Sequence, residues 1–168
     1  MATLRRRCLI VAHGVGVFLT LGFGSSRSFA QAAPATRLTI TANTVTFAPP
    51  TVDDYAAGFV TGAAGITYTL DVIAVGGKRR TATVSIRATS ATVGGGKPVS
   101  DVQWRRSDQP TWNSLTLTNA PVEARLMDKA TNNPWSNAIV FRILVSWRAD
   151  PPATYTADIE ITLTQIYN

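Results

Sequence analysis

Two neighbouring stretches decide how this chain folds: Ile139-Val140-Phe141-Arg142-Ile143-Leu144-Val145-Ser146-Trp147, and Tyr155-Thr156-Ala157-Asp158-Ile159-Glu160-Ile161-Thr162-Leu163-Thr164. In both, odd positions are apolar. In the second, every even position is polar. Successive side chains of a strand point to opposite faces, so this alternation predicts strands with one face buried and one wet. Asp150-Pro151-Pro152 between them is a turn signal. A hairpin keeping both odd faces together would pair Trp147 with Tyr155, Ile143 with Ile159 and Ile139 with Leu163.

Working outward, Ile66–Val75 and Thr81–Ala88 alternate the other way, with Tyr68, Leu70, Val72, Ala82, Val84 and Ile86 on one face. They read as a second hairpin whose loop of three or five residues needs a glycine from Gly76-Gly77. Lys78-Arg79-Arg80 then falls in or beside the loop tip. Weaker strand signals cover Arg37–Ala42, Thr44–Ala48, Val99–Arg105, Ser114–Thr118 and Val122–Met127. No window carries a helical repeat; Ala120–Ala130 comes nearest, and its Pro121 and alternation favour strand. Threonine, valine and isoleucine, with nine prolines and glycine clusters between the runs, make a strand-and-turn composition. The chain is expected to be all-β, an antiparallel sandwich of about seven to nine strands, with a closed barrel as the competing architecture.

The first 30 residues stand apart. Arg5-Arg6-Arg7 precede a glycine-diluted apolar stretch from Cys8 to Phe23, and small residues follow to Ala30. These are the parts of a cleavable export signal, cut after Ala30 or after Ala32. The apolar core is shorter than the ~20 residues that span a bilayer. The expected organisation is a signal helix in 1–30 and one domain in 31–168, exported and without a membrane span once cut.

Removing the signal changes the chemistry. Four of the 16 basic residues (Arg5, Arg6, Arg7, Arg27) leave and none of the 10 acidic ones, so net charge falls from +6 to +2. Nucleic acid is therefore not an expected partner. The single cysteine, Cys8, and the single histidine, His13, leave as well. Disulfides, Cys/His metal sites and Ser–His or Cys–His nucleophiles are then excluded from 31–168. We expect no enzyme activity, no cofactor and no metal.

What remains are surfaces. Trp147 lies on the apolar face of its strand and is expected in the core. Trp112 and Trp135 sit beside the turn residues Gln109-Pro110-Thr111 and Asn132-Asn133-Pro134. They are the candidate ligand-binding aromatics, able to stack on sugar rings if coplanar on one exposed face, although packing competes with that reading. Asp158 and Glu160 share a wet face as ordinary solvated charges. Asp128 with Asn132 and Asn133 matches no calcium-loop spacing. Lys78-Arg79-Arg80 and Arg105-Arg106 read as solvated loop charges. Gly94-Gly95-Gly96-Lys97-Pro98 lacks the spacing of a phosphate loop.

The chain resembles bacterial secreted immunoglobulin-like domains of the surface-structure and fimbrial type. The residues carrying the likeness are Thr44-Val45-Thr46-Phe47 with Pro49-Pro50, Asp101-Val102-Gln103-Trp104, and the strand Tyr155–Thr164. The resemblance implies architecture more than activity. Its sharper form is the pilin subunit: Leu38, Ile40 and Ala42 alternate near the start of 31–168, and Tyr167 is penultimate. The chain departs from that pattern in having no disulfide and in carrying Tyr155 where such subunits commonly have glycine. The resemblance implies protein partners or self-assembly by strand addition, with Leu38, Ile40 and Ala42 as the edge. A glycan-binding module using Trp112 and Trp135 is the alternative.

Overall fold

The computed structural model describes residues 36–73, 80–128 and 133–167, all within the compact unit Ala33–Asn168. The elements are β1 (Thr36–Ile40), β2 (Thr44–Phe47), α1 (Val52–Ala57), β3 (Phe59–Thr61), β4 (Ile66–Val72), β5 (Arg80–Ala88), β6 (Val102–Arg106), β7 (Asn113–Ser114), β8 (Ala120–Met127), β9 (Trp135–Leu144) and β10 (Tyr155–Tyr167). Among the described residues they build two antiparallel sheets. One has six strands in the order β1-β4-β9-β6-β7, with β3 also on β9, and the other has the order β2-β10-β5-β8. The export signal, both cut sites, Gly76-Gly77, Lys78, Arg79 and Asn132 lie outside the described residues.

Four of the alternating runs bury the face that the sequence turns inward. Tyr68, Leu70 and Val72, then Ala82, Val84 and Ile86, then Ile139, Phe141 and Ile143, then Tyr155, Ala157, Ile159 and Ile161 are all buried in one core. Both expected hairpins, however, are absent. β9 pairs with β4, β3 and β6, while β10 pairs with β2 and β5, so Ile143 and Ile159 are buried in the same core from different sheets instead of pairing. β4 and β5 are likewise in different sheets. Residues 145–154 are long enough to cross the ~10 Å between packed sheets, which a tight turn is not.

An immunoglobulin-type order keeps the last two strands side by side. Here each long strand from β4 onward crosses to the sheet opposite its predecessor. That wrapping is of the double-Greek-key, jelly-roll kind.

Three local features position side chains discussed below. Thr51 and Asp54 form a capping box at the start of α1, and Gly58 closes the helix at φ 80°, a left-handed conformation that glycine adopts without penalty. Sequence periodicity misses α1 because it is little more than one turn long. In the β5–β8 ladder the register shifts between Val84 and Ser85, leaving Val122 as the extra residue. This bulge turns Glu123, Arg125 and Met127 inward, and Leu126 is 44 % exposed. Arg80, expected at a loop tip, is the buried first residue of β5.

Candidate functional site

β1, which carries Leu38 and Ile40, is the end strand of the six-stranded sheet. β1 pairs with β4 on one side, matching Leu38 to Leu70 and Ile40 to Tyr68. The Thr41 N–H donates to Thr67 O at 3.0 Å, which fixes Arg37, Thr39 and Thr41 as the residues whose backbone groups face β4. Antiparallel pairs alternate in this respect, so the N–H and C=O of Leu38 and Ile40 point away from the sheet. Thr36 O, on that same outer side, accepts from the Gln165 side-chain amide at 3.0 Å. Leu38 and Ile40 turn half-buried side chains onto the core. Ala42 lies past the strand, in the bend that carries the chain from β1 to β2 in the other sheet.

Trp112 and Trp135 do not share a face. Trp112 lies beside Arg142, whose guanidinium is 4.4 Å from its ring centroid, and Arg105 is 5.0 Å from it. Arg142 and Arg105 are on the outward side of β9 and β6. Trp135 is at an inward position of β9, with Arg125 3.3 Å over its ring and its indole N–H donating to Glu123 Oε2 at 3.2 Å. Both rings are half-buried. The Arg105-Arg106 pair is also split. Arg105 donates to backbone carbonyls of residues 106, 107 and 109. Arg106 turns inward, pairing with Asp108 at 2.6 Å and with Glu123 at 3.4 Å. Asn133 uses its Oδ1 to accept the Val72 N–H at 2.5 Å.

A site that sequence reasoning passed over lies at one end of the sandwich. Trp147, expected in the core, is 62 % exposed, because β9 stops at Leu144 and the chain turns at Ser146–Asp150. Its ring stacks on Tyr55 of α1, with centroids 4.0 Å apart and planes at 21°. The Tyr55 hydroxyl donates to Asp150 O at 2.6 Å. Asp150 is itself buried, and its Oδ1 accepts from Lys97 Nζ at 2.7 Å while its Oδ2 accepts from the Ser146 N–H at 2.8 Å. Lys97, also buried, reaches Asp101 Oδ2 at 2.7 Å. An open pocket of about 410 Å³ is lined by Gly95, Gly96, Lys97, Asp101, Asp150 and Tyr155, among others.

The charges here are mutually fixed. Burial pushes the Asp150 carboxyl up, but the Lys97 ammonium and the Ser146 N–H outweigh it and hold the group below the ordinary carboxylate value. Burial works to lower Lys97, and its hydrogen bonds to Asp101 and Asp150 more than reverse that. The signals were present in the sequence as Gly94–Lys97 and Asp150. Nothing local showed that they meet, being more than fifty residues apart.

Among the described residues no group of three or more His, Cys, Asp or Glu could hold a metal ion, and no helix is long and apolar enough to cross a membrane. Comparison with protein-family models, curated proteins and solved structures finds no match for this chain.

Proposed function

We propose that this chain is an exported, non-enzymatic module of a cell surface or extracellular matrix, which assembles by strand addition between protein chains. The observation that carries the reading is the outward-facing backbone of Leu38 and Ile40 on β1. Each offers an N–H and a C=O to which an extended segment of a second copy can bond. The position of β1, just after the expected cut site, supports it further. The basic and apolar pattern of residues 1–30 supports export, and the loss of Cys8 and His13 with that segment supports a non-catalytic role.

Leu38→Pro tests the reading directly. Proline removes the outward N–H of residue 38 but none of the bonds that Arg37, Thr39 and Thr41 make to β4, so the sheet survives. Sedimentation of the exported protein should show wild type associating and Leu38→Pro monomeric. Equal association of the two proteins would refute the edge. N-terminal sequencing should begin at Gln31 or Ala33; a retained Met1 would refute processing.

A further inference from the structure

The pocket at the Trp147 end has the chemistry of a sugar-binding site. Its volume, about 410 Å³, lies in the range of small-molecule sites, about 300–1,000 Å³. Its floor mixes donors and acceptors. An ammonium carries three N–H donors; Lys97 gives two of them to Asp101 and Asp150, which leaves one. Asp101 engages Lys97 through Oδ2 and keeps Oδ1, its side chain being 33 % exposed. A hydroxyl both donates and accepts, so adjacent ring hydroxyls can bridge an ammonium N–H and a carboxylate oxygen held on one scaffold.

Gly95 and Gly96, at φ 75° and 78°, adopt a conformation that favours glycine and carry no Cβ to obstruct a ligand. Pro98, Ala149 and Pro151 supply apolar wall. Trp147 lies outside that lining, in the turn that provides Ser146 and Ala149 to it. One face of its indole is held by Tyr55, and the side chain is 62 % exposed. The indole face is the negative end of its quadrupole and attracts the weakly positive C–H face of a pyranose. A large aromatic left in water but anchored from behind is preorganised for contact.

We propose that this pocket binds the terminal sugar of a neutral glycan, with hydroxyls on Lys97 and Asp101, and that Trp147, outside the lining in the adjacent turn, stacks on the adjoining sugar of the same glycan. The site is independent of the β1 edge: it lies in the connections before β6 and after β9, and its failure leaves strand addition untouched.

The test titrates the full exported protein with neutral mono- and oligosaccharides ending in glucose, galactose, mannose or N-acetylglucosamine. Backbone amide shifts and tryptophan emission are followed. A binding oligosaccharide should move amides in 95–101 and 146–150, and Trp147→Ala should weaken it about tenfold or more. Trp112→Ala should bind as wild type. Ala149→Leu, at an exposed lining position, should block the pocket while leaving the Tyr55–Trp147 stack intact. The proposal is overturned if no sugar moves those amides, or if Trp147→Ala and Ala149→Leu bind as wild type does.

Discussion

The hydroxyl of Tyr68 on β4 donates to the carboxylate of Glu123 on β8, joining the two sheets through the interior. Glu123 is 6 % exposed. Besides Tyr68 it receives the Trp135 indole N–H and lies within 3.4 Å of Arg106 and 3.3 Å of Arg125. Burial, together with this carboxylate, pushes the Tyr68 phenol far above its ordinary range. The bulge in β8 creates the arrangement by turning position 123 inward.

Glu123→Leu removes the acceptor that four donors share and leaves two guanidinium groups without it. The expected cost is about 3–5 kcal/mol, because breaking a buried ion pair strands the remaining charge. Tyr68→Phe removes one donor and leaves the acceptor other partners, and is expected to cost about 1–2 kcal/mol. Urea unfolding of both variants checks the ranking. Equal losses would contradict a hub at Glu123.

Lys97 and Asp150 make a pH-dependent contribution. The folded carboxyl of Asp150 is held below its ordinary value of 3.8. The stability it confers is therefore complete above that value and is lost as pH falls through the lower folded one. Lys97→Met should cost about 3–5 kcal/mol at neutral pH by leaving Asp150 buried without its counter-charge. Burial then dominates the Asp150 carboxyl and raises its pKa, so protonation relieves the variant. The gap between wild type and Lys97→Met should narrow as pH falls from 7 towards 4; a constant gap would contradict the pairing.

Proline scanning of β1 should separate its two sides. Leu38→Pro loses an outward N–H and part of a side chain's packing, a cost of about 1–2 kcal/mol. Thr39→Pro loses a ladder bond to β4 and should cost about 3 kcal/mol or more. Thermal unfolding orders the two, and the reverse order would place the free edge on the other residues.

Trp147 should dominate quenching by acrylamide, since it is 62 % exposed while Trp104 is 4 % exposed. Trp147→Phe should remove most of the accessible emission and spare the fold, because a phenyl ring can still stack on Tyr55. Unchanged quenching would mean that Trp147 is buried.

Much of this architecture was legible in the sequence, for a local reason. Period-two alternation reports which side of a strand is dry, and it did so correctly for Tyr68–Val72, Ala82–Ile86, Ile139–Ile143 and Tyr155–Ile161. Where alternation was broken by geometry, the pattern misled. Val122, Ala124 and Leu126 alternate as apolar residues, yet the bulge at Val122 places Glu123 inside and Leu126 at the surface.

By itself, the sequence determined the strand content and, where alternation is unbroken as in Tyr68–Val72 and Ile139–Ile143, the inward faces. Those follow from the pleat, whereas the place of β1 at the end of its sheet follows from the strand order. Tertiary structure alone decided that β9 and β10 lie in opposite sheets, that Trp147 is outside, and that Lys97 meets Asp150 across 53 residues. Alternation is the same whether the facing strand lies in its own hairpin or in the other sheet. An isolated lysine or aspartate in a loop has no periodicity at all. Its burial depends on which distant segment arrives beside it, and only the packed chain sets that.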